Sequence, residues 1–235
     1  MPEPAPATTR TLSEAASKEL LAPFGVPFPP ERTVHTADEA VEAGEALGFP
    51  VVAKLCGEGI AHKTERGLVR LGLHDATAVR HATADLLAAA TEADGPVSVL
   101  VAPMLSGRRE LIAGLATDAQ FGPTVMLGVG GVLAEALADV ALRLVPLARI
   151  DAEEMIEDLR TQTLLGELRG EPPVDRVAVA DVVLALSAAT EAHAELVSVD
   201  LNPLLVVAGR PVAVDALVEV VTAGGSGDGD GDQSR

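Results

Sequence analysis

Two lysines and a histidine fall between residues 54 and 63, in the run KLCGEGIAHK, and Arg66 lies close behind. The chain as a whole carries a net charge of −18, so cations that cluster anyway are informative. Grouped cations suit a phosphate-handling site; a solvated loop is the plainer alternative. Lys54 stands inside an apolar, strand-like run, where an ammonium is costly unless it meets an anion or snorkels out of the core. His62 also has plain readings, as a solvent-facing loop residue or a partner of Glu58 or Glu65. An acidic counterpart lies near the other end of the chain. In a strand, Asp200 and Asn202 point to the same face. Asp215 falls on the next strand of a hairpin, within lateral reach of that face. Two carboxylates and an amide oxygen form a hard oxygen set suited to Mg2+, which usually keeps waters and borrows phosphate oxygens. Spacing alone leaves these three equally readable as solvent-facing polar positions.

Two glycine motifs fall short of standard phosphate loops. GEGIAHKT, residues 57–64, fits the G-x-x-x-x-G-K-[ST] pattern except that His62 stands where the backbone must curl tightly around phosphate. The next segment, ERGLVRLGL, reads as turn plus strand and not as the required helix. GVGGVL, 128–133, resembles half a dinucleotide fingerprint, but its third glycine position is Leu133. A tight turn, letting backbone approach a ligand or another strand, explains it as well.

Composition narrows the classes. With 48% hydrophobic residues among 235, the chain can bury the core of one large domain or two lobes sharing a cleft. Its acidity argues against nucleic acid or an anionic membrane as partner, since both need a basic face. No apolar stretch is long enough to span a bilayer, and MPEPAPATTR lacks a signal-peptide layout. The single cysteine, Cys56, rules out an internal disulfide, fits a reducing cytoplasm, and reads as packing at the end of an apolar run.

These groups need elements to position them. Thr11 and Glu14 form a capping-box pattern ahead of a helix ending near Pro23. Thr36 and Glu39 repeat it for a helix over 37–47 that stops at Gly48. Strands are expected at 50–55, 68–73, 97–104, 109–116 and 124–129. Asp75 caps a helix with Val79, Ala82, Leu86 and Ala90 on one face. VLAEALADVAL reads as helix, as do 151–168 and 175–194, and VSVDLNPLLVV with PVAVDALV reads as a hairpin turning at Gly209. Strands and helices mixed in this order predict an α+β (α/β) body of two lobes. The divisions are a loose N-terminus at 1–10, a small lobe at 11–100, a large lobe at 101–222, and a Gly/Asp tail at 223–235 that lacks the closing glutamate of a calcium loop.

From about residue 12 to 220 the chain resembles the ATP-grasp (β) subunit of the ADP-forming acyl-CoA synthetases, the group that includes acetate–CoA ligase (ADP-forming). The segments that carry the resemblance run in order. They are LSEAASKELLAPFGVPFP, ADEAVEAGEALGFPVVAKL, IAHKTERGLVRLGL, the long run from APMLSGRREL through DAQFGPTVMLGVGG to RLVPL, and SVDLNPLLVVAGRPVAVDA. The resemblance implies an ATP-grasp fold that holds nucleotide between two lobes. By it, Lys54 contacts ATP phosphates, residues 101–105 (Val101, Ala102, Pro103 and Met104 among them) hold adenine, and Glu110 lies near the nucleotide. Asn202 and Asp215, with Asp200 beside them, match the Mg2+ positions. The implied reaction converts acid, CoA and ATP reversibly to acyl-CoA, ADP and phosphate. A separate CoA-binding α subunit is the implied partner in a hetero-oligomer, and a carboxylic acid is the substrate. His62 matches a family histidine that takes the phosphoryl group, with Lys63 beside it in the catalytic role. A histidine accepting phosphoryl needs cations nearby to offset charge, and Lys54, Lys63, Arg66 and Mg2+ are the candidates.

The sequence also departs from the family. A glutamine–glutamate pair usually precedes the hinge methionine; here Ala102 and Pro103 stand there. Proline removes a backbone N–H, and the missing glutamate removes an acceptor. Leu68 replaces the second glycine of the loop, and Glu65 the usual aspartate. These departures leave two rival readings: another ATP-grasp carboxylate ligase that serves a nucleophile other than CoA, and a degenerate nucleotide-binding or assembly subunit.

Overall fold

Apolar–polar alternation builds two antiparallel sheets, each with helices on one face. A computed structural model describes residues 8–60, 63, 66–131 and 137–222. In chain order the elements are β1 (Thr9–Thr11), α1 (Glu14–Leu21), β2 (Arg32–Val34), α2 (Ala37–Leu47), β3 (Val51–Gly57), β4 (Val69–Leu73), α3 (Ala76–Ala88) and β5 (Val97–Pro103). Then come β6 (Glu110–Asp118), β7 (Gly122–Val129), β8 (Val140–Leu144), α4 (Arg149–Asp158), α5 (Gln162–Leu165), α6 (Arg176–Ala192), β9 (Leu196–Val207), β10 (Arg210–Ala213) and β11 (Leu217–Val221). No helix among the described residues is long and apolar enough to cross a membrane.

The smaller sheet has the order β2-β5-β3-β4. Its two helices start where the sequence places them. Thr36 and Glu39 exchange side-chain and backbone hydrogen bonds at the start of α2, and the Asp75 carboxylate accepts from the Ala78 amide at 2.8 Å to start α3. Successive strand residues face opposite ways. Val51, Ala53, Leu55, Val99 and Val101 pack under Val41, Val79 and Leu86 of the helices. Val52 and Lys54, paired with Ala102 and Leu100 across β3 and β5, share the other face.

The larger sheet has the order β1-β11-β9-β6-β7-β8, with β10 also on β9. Met155, Ile156, Val182, Val183 and Leu186 of α4 and α6 cover one face, against Leu111, Leu115, Val125, Leu127, Val199 and Leu201. Burying each such side chain contributes roughly 1.5–3 kcal/mol. Because Val199 and Leu201 point into this core, Asp200 and Asn202 stand on the open face, as their spacing predicts.

Four expectations need correction. First, Thr11 lies in β1 and makes no capping box; Ser13 caps α1 by accepting from the Ala16 amide at 3.2 Å. Second, β1 pairs with β11, and Leu12, Leu21 and Val26 bury in the larger core, so the small lobe starts at β2 and not at residue 11. Third, the end of VLAEALADVAL, from Val140 on, belongs to the strand β8, whose residues pair one for one with Gly128 back to Thr124 of β7; residues 132–136 lie outside the described residues. Fourth, two segments expected as single elements are each divided: PVAVDALV between two strands, and 151–168 between two helices. β10 and β11 succeed one another along the edge of β9 opposite β6, and the strand pairing is interrupted between them at 214–216. Buried Asp139 separates α4 from α5 by accepting from the amides of Arg160 at 2.9 Å and Thr161 at 2.8 Å. The 1–10 segment is described only from residue 8, where it leads into β1, and the 223–235 tail lies outside the described residues.

Candidate functional site

Lys54 does not snorkel. Its ammonium donates to Glu14 Oε1 at 2.8 Å and to the Val214 carbonyl at 2.6 Å, both from the larger body. Lys63, from the loop after β3, donates to Glu14 Oε2 and to Asp215 Oδ1, the latter at 3.0 Å. Lys18, one turn along α1, reaches Glu14 Oε1 at 2.8 Å and Glu31 at 2.6 Å. Three ammonium groups thus converge on one carboxylate whose side chain is 0% exposed. Glu14 gets there because Ser13 caps α1 and the Ser17 hydroxyl accepts from the Val218 amide at 3.1 Å, fixing the helix beside β11.

The electrostatics arise from this packing. Burial alone would push the Glu14 carboxyl up, but Lys54, Lys18 and Lys63 together hold it far below the usual carboxylate range. Burial pulls Lys63 down, and Glu14 and Asp215 outweigh it, raising its pKa. Asp215 is driven the other way. Desolvation and the Glu14 charge raise it, against the pull of Lys54 and Lys63. Desolvation and the charge of Asp215 raise Asp200 as well. Two raised carboxylates so close together mark a place where a cation would be welcome. The break at 214–216 puts Asp215 there. Leu217, two residues on, is the register partner of Asp200. Among the described residues no three His, Cys, Asp or Glu side chains are grouped to hold a metal ion, so Asn202 or a ligand oxygen must complete any such set. That donor chemistry, oxygen only, fits Mg2+.

Beside Lys54 a cavity of about 420 Å³ opens between the sheets. Val52, Lys54, Ala102, Pro103 and Met104 line it from the smaller sheet, and Glu110, Pro203, Leu205 and Val214 from the larger. Mostly apolar walls with one ammonium suit a flat heterocycle bearing an anion. Val101, expected here, is turned away. Strand alternation sends its side chain into the small-lobe core, where it is 0% exposed. The Glu110 carbonyl accepts from the Gly130 amide at 2.8 Å, and Gly131 adopts a φ of +85° with its Cα side facing the Glu110 carboxylate. GVGG is therefore a close-approach turn that seats the end of β7 against Glu110.

The other expected cations fare differently. Arg66 forms a two-pronged pair with Asp94, at 2.7 and 2.9 Å, and does not join the lysines. That pair and the Thr91 amide and hydroxyl hold the Asp94 carboxyl well below the usual range. The same region fixes the start of the Lys63 loop. A Cβ on Gly59 would lie 2.5 Å from the Ala93 carbonyl oxygen. His62 lies outside the described residues. Glu14 was not among the expected site residues. Only the i,i+4 spacing of Glu14 and Lys18 hints at it, and nothing in spacing ties residue 14 to residue 54.

The family model for the ATP-grasp domain matches residues 5–220. The β subunit of acetate–CoA ligase (ADP-forming) I from Pyrococcus furiosus is 34% identical over 91% of this chain and 94% of its own length. This chain belongs to the ATP-grasp β subunits of the ADP-forming acyl-CoA synthetases. Acetate–CoA ligase (ADP-forming) I of Archaeoglobus fulgidus is 36% identical over 83% of the chain, which spans only 29% of that longer protein. Among solved structures, the dinucleotide-forming acetyl-coenzyme A synthetase 1 of Ca. Korarchaeum cryptofilum superposes with a TM-score of 0.76. It shares 34% identity over 91% of this chain and 93% of that one. That protein is in complex with coenzyme A and Mg-AMPPCP, its phosphohistidine segment pointing towards the nucleotide binding site. The fold of this ATP-grasp subunit is thus the two-lobed α+β arrangement that its sequence predicts.

Proposed function

We propose that this subunit binds ATP with Mg2+ between its sheets and takes the γ-phosphoryl group for an ADP-forming acyl-CoA synthetase. The observation that carries this reading is the junction of the 420 Å³ cavity with Lys54, beside a second ammonium, Lys63, and the raised pair Asp200 and Asp215. The base would lie against Ala102, Pro103 and Met104, near Glu110. Its phosphates would meet Lys54 and Lys63, and Asp200, Asn202 and Asp215 would hold the metal. Bound there, Mg2+ would offset charge on the phosphate oxygens. His62, which precedes Lys63 in the chain, is the proposed phosphoryl acceptor, with ADP as leaving group. A separate CoA-binding α subunit would then receive the phosphoryl group and pass it to a carboxylic acid. That division of labour is supported by the longer relatives, in which this chain matches under a third of the protein. A cytoplasmic setting suits the buried, free thiol of Cys56.

Thermal unfolding with ATP, with and without Mg2+, tests the reading. A ligand that binds only the folded state adds about 2.7 kcal/mol at 100 times its Kd. The expected result is an Mg2+-dependent rise in Tm that Lys54→Ala and Asp215→Ala abolish. No rise at millimolar nucleotide would favour the degenerate subunit instead.

A further inference from the structure

We propose that Glu14 is a positioning residue that aims Lys54 and Lys63 at the phosphates of a bound nucleotide, an inference that rests on the nucleotide-binding reading above. The carboxylate is shared between its two oxygens. Oε1 takes Lys54 and Lys18, and Oε2 takes Lys63. Glu14 stands on a helix fixed to the larger body, whereas Lys54 and Lys63 come from a strand and a loop of the smaller one. One carboxylate therefore brings two small-lobe ammonium groups across the cleft, one lining the cavity and the other touching Asp215. Lys18 pins it in place, itself held by Glu31 and lying 5.7 Å from the Phe28 ring centroid. Without Glu14, Lys63 would keep Asp215, but among the described residues the other hydrogen-bond partner of Lys54 is the Val214 carbonyl. The aim of Lys54 thus depends on Glu14 more than that of any other group here. Protein kinases meet the same need with a helix-borne glutamate paired to a strand-borne, phosphate-contacting lysine.

Affinity for two probes tests this in the full chain at a temperature where circular dichroism shows every variant folded. The probes are ATP with Mg2+, by calorimetry, and adenosine, by ligand-observed NMR. Glu14→Gln should weaken ATP binding at least tenfold and leave adenosine within twofold, and Glu14→Asp, which keeps the charge, should recover part of the loss. Equal weakening of both probes would reduce Glu14 to a structural role, and unchanged ATP affinity in Glu14→Gln would overturn the proposal outright. Should Glu14→Gln not fold, Glu14→Asp carries the same comparison, with a selective loss of ATP affinity expected and equal losses refuting. Failure of the unaltered chain to bind ATP would instead refute the nucleotide-binding reading itself.

Discussion

Replacing Glu14 by Gln removes one charge from a point where three ammonium groups meet. Lys18 retains Glu31 at 2.6 Å and Lys63 retains Asp215 at 3.0 Å, so the loss falls mainly on Lys54. Breaking a buried pair while leaving the other charge in place costs about 3–5 kcal/mol; with one ammonium stranded and two still paired, the lower end, about 3 kcal/mol, is expected at pH 7. For a chain of this length each kcal/mol shifts Tm by roughly 2–4 °C, so the expected drop is about 6–12 °C. The pH dependence makes the test sharper. Glu14 is held far below its ordinary value of 4.5. A carboxylate lowered in the folded state stabilises above its unfolded pKa, and that contribution drains away as pH falls toward the folded one. Between pH 7 and pH 3 the unfolded chain takes up the proton while the folded chain does not. The loss is about 1.36 kcal/mol per pH unit below about 4.5, or about 2 kcal/mol at pH 3. Glutamine has no such term. The gap between the two proteins should shrink from about 3 to about 1 kcal/mol as pH falls, read by thermal and denaturant unfolding at both values. A gap that stays constant with pH, or is absent at pH 7, would refute the account of Glu14 as a buried, ionised hub.

The packing sets two further outcomes. Gly59→Ala would drive a Cβ into the Ala93 carbonyl 2.5 Å away; a cost of about 1–3 kcal/mol is expected in urea unfolding, with weaker nucleotide binding as the Lys63 loop shifts. Arg109 donates to the carbonyls of Leu164, Gly166 and Pro172 as well as to Glu171; Arg109→Met should cost about 3 kcal/mol and speed hydrogen exchange across 164–172 while sparing the helix Arg176–Ala192.

Local chemistry made much of this fold readable. Thr36 with Glu39, Asp75, and the alternation around Val199–Asp200–Leu201–Asn202 act within a few residues, and each behaves as its type and spacing demand. Long-range pairing hid the rest. Val140–Leu144 has helix-compatible composition and becomes strand because β7 offers it an edge, which is tertiary context overriding propensity. The hairpin reading of PVAVDALV missed the break at 214–216, since apolar residues on both sides continue the pattern and only the pairing along β9 shows two separate strands. The side chain of Val101 enters the small-lobe core while that of Ala102 lines the cavity, since one residue along a strand reverses the face. Glu14 looked like the last residue of a capping box. Its role depends on Lys54 and Lys63, 40 and 49 residues away, which periodicity cannot reach.

The pairing of Thr9 with Val221 brings the two ends of the folded body side by side. A body whose chain comes in and goes out at one corner can be joined to a neighbour at either end, or spliced into another protein's loop, without stretching. Its relatives occur both as a separate subunit and as a segment of a longer polypeptide, and this geometry makes such gene fusion and fission easy to accommodate. The same neighbourhood offers a route to a circularly permuted version, with a short bridge across the old ends and new ones opened at the Asp118–Gly122 turn between β6 and β7.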